Sequence, residues 1–123
     1  MKRISLEDMT VEQLVERFRE IALAQDEALL MDEIGKYNRL YDQMVVLKRE
    51  LKEREGDGRS DLLPLLLHKN AQVRLKAAIA TLSVDPQAAR QALQDISDKN
   101  EYPQAMSARG MMKALDEGRY VPS

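Results

Sequence analysis

Apolar residues recur at three- and four-residue spacing along most of the chain, and no segment shows the strict alternation of a half-buried strand. Val11, Leu14, Val15, Phe18, Ile21 and Ala22 form one stripe, with Glu12, Glu16 and Glu20 on the other side. Thr10 and Gln13 have the spacing of a capping box, so a helix is predicted from Val11 to about Ala24. Gln25-Asp26 reads as a brief junction. From Glu27 to about Arg54, Leu30, Ile34, Tyr37, Tyr41, Met44, Lys48 and Leu51 alternate in fours and threes, which predicts one long second helix. Gly35 weakens it by about 1 kcal/mol relative to alanine, and a break near that residue is the alternative.

The loop Glu55–Arg59 carries two glycines, which permit positive φ. Leu62, Leu65 and Leu66 then share a helical face. Pro64 fits the first turn of a helix capped by Ser60 or Asp61. Asn70 is the expected N-cap of a helix carrying Val73, Ala77, Ala78, Thr81 and Leu82. Asp85-Pro86 is a cap followed by a first-turn proline, and Ala89, Ala92, Leu93 and Ile96 follow. Pro103 opens a last helix with Ala105, Met106, Ala108, Met111, Met112 and Leu115, closed by Gly118. Met1–Met9 is a lead-in whose Ile4 and Leu6 are expected to tuck against the first helix, and residues 119–123 are a tail prone to fraying.

The Leu-Leu-Pro-Leu-Leu segment, a short polar junction, then Val73-Arg74, Ala77-Ala78 and Leu82 resemble a HEAT or armadillo-type helical repeat. A fainter copy lies further on, since Lys76–Leu82 and Arg109–Leu115 match in type at an offset of 33 residues. The resemblance covers the second half of the chain. It implies an all-α fold: a short α-α superhelix of about six helices in antiparallel pairs, forming a single domain over residues 1–123. It also implies that Arg74 makes structural bonds at a repeat junction, where Asp85 caps the next helix. The string Asn38-Arg39-Leu40-Tyr41-Asp42, ahead of such helices, is similar to a bacterial family known as domain of unknown function 2019, which implies a helical fold and no established activity.

Composition narrows the chemistry. One Phe and no Trp leave an aliphatic core, with seven Met as adaptable filler. The absence of Cys excludes disulfides and thiolate zinc sites. No apolar run is long enough to span a membrane, and no signal peptide is evident, so a cytoplasmic protein is expected. The net charge of −2 gives no general pull toward nucleic acid. Met1–Glu33, with nine acids against four bases, favours a basic partner.

Lys36, Asn38, Arg39 and Asp42 form the densest mixed polar stretch and are the candidate partner contacts, with Tyr37 and Tyr41 one turn apart beside them. The competing reading buries both tyrosines in the core. His68 is the only histidine; with Asp57, Asp61 or Asp85 it would make a poor zinc set, and a place near a helix C-terminus, where positive charge is favourable, suits it better. Glu12, Glu16 and Glu20 read as a solvated face. Lys48, Arg49, Lys52, Arg54 and Arg59 are interrupted by acids and read as a solvated helix end. No glycine phosphate loop, nucleophile elbow or zinc-protease motif is present. The expectation is a non-catalytic helical-repeat scaffold, without cofactor or metal, that binds a protein or peptide, with an antitoxin or immunity role as one instance. A nucleic-acid-binding HEAT-like protein and a small-molecule enzyme are the alternatives. A homodimer is expected if Met106, Met111 or Met112 is exposed.

Overall fold

The computed structural model describes residues 5–123, so the expectation for Ile4 lies outside it. The described residues form five α-helices and two 3-10 segments: Leu6–Asp8, α1 (Val11–Leu30), α2 (Ile34–Glu53), Gly58–Leu67, α3 (Ala71–Thr81), α4 (Pro86–Asp98) and α5 (Gln104–Asp116). The fold is all-α. No described helix is long and apolar enough to cross a membrane. The chain groups into two compact units, 1–62 and 63–123.

In the first unit α1 starts as its capping box dictates. Thr10 Oγ1 accepts from the Gln13 N–H at 3.1 Å, and Gln13 Oε1 accepts from the Thr10 N–H at 2.9 Å. The helix does not stop at Gln25-Asp26, contrary to expectation. Gln25 continues the buried stripe of Leu14, Phe18, Ile21, Ala22 and Ala28, and nothing at that point breaks helical geometry. α1 ends instead at Met31, because Asp32 turns into the left-handed region at φ 56°. The Glu33 N–H then reaches Ala28 O at 2.8 Å and the Asp32 N–H reaches Leu29 O at 3.3 Å, the paired bonds of a Schellman motif. The single long helix over 27–54 is therefore two helices. The break falls just ahead of Gly35, which sits inside the first turn of α2.

The short connection folds α2 back along α1 as an antiparallel hairpin. Met44, Leu47 and Leu51 are the buried residues of α2. Leu30 and Ile34 do not extend their stripe. The turn between them resets the helical phase, and both face solvent, as does about half of Tyr41.

L-residues occupy the left-handed region at a cost of about 1 kcal/mol or more that glycine does not incur. Asp32→Gly is therefore expected to stabilise the chain by about 1 kcal/mol, read as a rise in the urea midpoint. A fall would mean that the Asp32 carboxylate supports the fold.

After α2, Gly56 (φ 71°) and Asp57 (φ 59°) make the turn into the next segment. Gly58 is needed for a different reason. A Cβ there would lie 2.7 Å from Leu51 O and 3.2 Å from Arg54 Cβ. The Leu-rich segment was expected to be an α-helix starting near Ser60, but it winds as a 3-10 helix from Gly58 to Leu67, with Pro64 in its interior. In an α-helix Pro64 would clash with the carbonyl four residues back, and the tighter winding avoids that conflict. Three residues per turn also explain its exposure. Asp61, Pro64 and Leu67 fall on one outward edge, while Leu62 is buried and Leu65 and Leu66 are half-buried.

In the second unit α3 and α4 begin where the sequence places a cap, while α5 starts after Pro103 with no side-chain cap. Asn70 Oδ1 accepts from the N–H groups of Gln72 and Val73, and Asp85 Oδ1 accepts from the Ala88 N–H ahead of Pro86. α3, α4 and α5 enclose one core of Leu75, Ala78, Leu82, Ala89, Leu93, Ile96, Ala105, Ala108 and Met112. Val73, Ala77, Ala80 and Thr81 lie outside that cluster and are buried too, so α3 is covered on two faces. α4 and α5 end in Schellman motifs with Asn100 (φ 52°) and Gly118 (φ 72°) at the left-handed position. α3 and α5 start 33 residues apart, the offset at which their sequences match.

Candidate recognition surface

Lys36, Asn38, Arg39 and Asp42 occupy the first half of α2. Asn38, Arg39 and Asp42 are exposed and Lys36 is half-buried. Tyr37 is half-buried and Tyr41 is 49 % exposed, so Tyr41 does not join the core. Ile34, Asn38 and Asp42 follow one another at four-residue steps and line one edge of the helix. At the head of that edge stands the α1–α2 turn, where Leu30 is 79 %, Met31 66 % and Ile34 68 % exposed, with Leu29 partly exposed beside them. The sequence pattern runs Leu30 and Ile34 along one continuous helix and so gives no sign that the polar candidates adjoin an apolar tip. Exposed acids surround this tip: Glu27, Asp32 and Glu33.

The remaining candidates have structural partners. Arg74 donates from Nε to His68 O at 2.7 Å and forks both terminal nitrogens onto the Glu101 carboxylate at 2.7 Å each. It thus ties the end of the 3-10 segment to the loop before α5. The guanidinium beside Glu101 holds that carboxyl below its ordinary range, and the hydrogen bond is the main cause. A carboxyl depressed in the folded state stabilises the fold above its unfolded pKa of about 4.3, and that contribution fades as pH falls through the lower folded value. In urea titrations at falling pH, Glu101→Gln should flatten the acid-side loss of stability relative to wild type. An identical acid limb would show that the pair contributes nothing.

His68 Nδ1 accepts from the Asn70 N–H at 3.0 Å, so the ring supports the junction into α3. Among the described residues no three His, Asp or Glu side chains gather as a metal set. Glu16 pairs with Arg19 on an exposed face, where the Arg19 hydrogen bond lowers the Glu16 carboxyl. In the basic group, Arg54 binds Glu50 and Leu6 O, each at 2.8 Å, and Arg59 grips Asp57 through two bonds at 2.9 and 2.7 Å. Of the methionines considered for a dimer contact, Met106 is exposed, Met111 half-buried and Met112 buried.

Sequence reasoning also passed over Arg109. Its guanidinium donates to Ser97 Oγ, Ser97 O, Asn100 Oδ1 and Tyr102 Oη at 2.6–2.8 Å, and lies 5.4 Å from the Tyr102 ring centre. It does for the α4–α5 turn what Arg74 does for the junction before α3. The signal was an arginine within reach of a polar Ser-Asn-Tyr turn.

A second surface feature lies in the other unit. Leu67, almost wholly exposed, stands between two adjoining hollows of about 350 and 320 Å³ that share Leu66, Ala92 and Asp95 as walls. The Asp85 and Asp95 carboxylates beside it are engaged by the Ala88 N–H and by Gln91.

A family model described as a domain of unknown function (DUF2019) matches residues 12–116. The chain belongs to this family. The DUF2019 match runs from the start of α1 to the last residue of α5, so the apolar tip, its polar edge and the Leu67 groove all fall inside it. The crystal structure of the protein RPA1889 from Rhodopseudomonas palustris CGA009 is similar to this chain at 40 % sequence identity and a TM-score of 0.94, over 98 % of this chain and all of the other. No curated protein matches.

Proposed function

We propose that this DUF2019 chain is a non-catalytic helical scaffold, built of HEAT-like hairpins, that binds a protein or peptide partner through the tip of the α1–α2 hairpin and the adjoining edge of α2. One observation carries this reading: three large apolar side chains, Leu30, Met31 and Ile34, stand in solvent at a single turn. Apolar residues scattered singly over a surface are ordinary, but grouped ones with a polar rim mark interaction sites. Asn38, Arg39 and Asp42 supply that rim on the same helix.

The test is capture of partners from the source cell by the wild type and by a Leu30→Gln, Met31→Gln, Ile34→Gln variant, with Asn38→Ala plus Asp42→Ala as a second variant. Specific partners should be lost from the first and weakened in the second. An unchanged set of partners from both would remove this surface. An antitoxin or immunity role is one instance of the proposed activity, and it would appear as capture of a toxic enzyme.

A further inference from the structure

The chemistry around the tip narrows what can dock there, on the reading that the tip is the binding surface. The C-terminus of α1 and the N-terminus of α2 meet at this turn, so their dipoles largely offset and the side chains set the sign of the field. Glu27, Asp32 and Glu33 are exposed around Leu30, Met31 and Ile34, and they outnumber the bases nearby, Lys36 in the first turn of α2 and Arg39, whose guanidinium lies 3.6 Å from where a Gly35 Cβ would stand. Asp32 sharpens the point. Its left-handed backbone favours glycine, yet the position carries a carboxylate.

The excess of acids at the tip disfavours a second copy of the chain, anionic lipid and nucleic acid as occupants. The tip is helical on both sides and offers no strand edge, so an extended peptide cannot extend a sheet here. A helix with an apolar stripe flanked by cations meets both requirements. We propose that the α1–α2 tip docks a basic amphipathic helix of a partner protein, its apolar stripe against Leu30, Met31 and Ile34 and its Lys or Arg side chains beside Glu27, Asp32 and Glu33.

The experiment is a titration of the isotope-labelled full chain, followed by amide NMR, with three synthetic amphipathic helices that share one leucine stripe. One carries lysines, one glutamines and one glutamates. The lysine helix should shift the amides of residues 27–34 and bind about tenfold or more tightly than the glutamate helix, since like charges disfavour a contact. Glu27→Gln with Asp32→Asn and Glu33→Gln should weaken the lysine helix about tenfold and remove most of its salt dependence. Its amide spectrum reports whether the variant stays folded, and Glu27→Gln with Glu33→Gln, which leaves the turn residue intact, serves if it does not.

Equal binding of all three helices at the tip would overturn the inference while leaving the tip as a binding surface. Shifts confined to the Leu67 groove, or none at the tip, would overturn it as well. So would tip shifts produced by anionic vesicles or by duplex DNA. The capture experiment above judges the underlying reading separately, because it needs no assumption about the partner's charge.

Discussion

Leu93→Ala should lower the unfolding free energy by about 2–5 kcal/mol, toward the upper part of that range. Leu93 lies in α4 at 0 % exposure, within the core formed by α3, α4 and α5. Truncation removes transfer energy and leaves a cavity, and the outcome depends on how far the neighbours can close it. Here they are poorly equipped to do so. Four of the nine buried cluster members are alanines, Ala78, Ala89, Ala105 and Ala108, which have no rotamers to swing into a void. The same alanines let the helices approach closely, so the tight packing that makes Leu93 valuable also prevents its replacement. Urea unfolding reads the effect as a lower midpoint at unchanged slope. A loss under about 1 kcal/mol would mean that the core relaxes far more than its composition allows.

Gly58→Ala should destabilise by about 1–3 kcal/mol through overpacking, despite adding a single methyl group. The new Cβ would fall 2.7 Å from the Leu51 carbonyl oxygen. A backbone carbonyl inside a helix end cannot step aside as a side chain can, so the turn or the last residues of α2 must shift. Gly110→Ala is the control. It lies within α5, where an added methyl group would meet nothing within 4 Å, so the same change should there gain about 0.5–1 kcal/mol from helix propensity. Opposite signs at the two sites separate steric contact from backbone preference. Loss at neither would contradict the close approach at Gly58.

Much of the architecture was legible because local chemistry decided it. The Thr10/Gln13 box, Asn70, Asp85-Pro86 and Gly118 lie where the observed helices start and stop. The misplaced boundary has a definite cause. Glycine or asparagine usually turns a helix off, and at α1 aspartate does so, which leaves no punctuation in the sequence. The 3-10 winding of Gly58–Leu67 was hidden for a similar reason, since a leucine run with one proline fits an α-helical first turn as well as a 3-10 segment.

These errors account for what was missed at the candidate surface. Once Leu30 and Ile34 were assigned to one continuous stripe, they could only be core, and the polar residues Lys36, Asn38, Arg39 and Asp42 stood alone. The turn at Asp32 rotates the second helix out of phase with the first and exposes the tip. Pairings such as Arg74 with Glu101, 27 residues away, and Arg109 with the Ser97–Tyr102 turn depend on how loops fold back, which helical spacing does not encode.

Leu30, Met31 and Ile34 either serve recognition or serve the fold, and urea unfolding of the Leu30→Gln, Met31→Gln, Ile34→Gln variant, run on the samples used for partner capture, separates the two. Recognition predicts an unfolding free energy within about 1 kcal/mol of wild type, as exposed positions allow, together with loss of the captured partner. A large drop in stability with the partner retained would make the tip a structural element and place binding elsewhere on the chain.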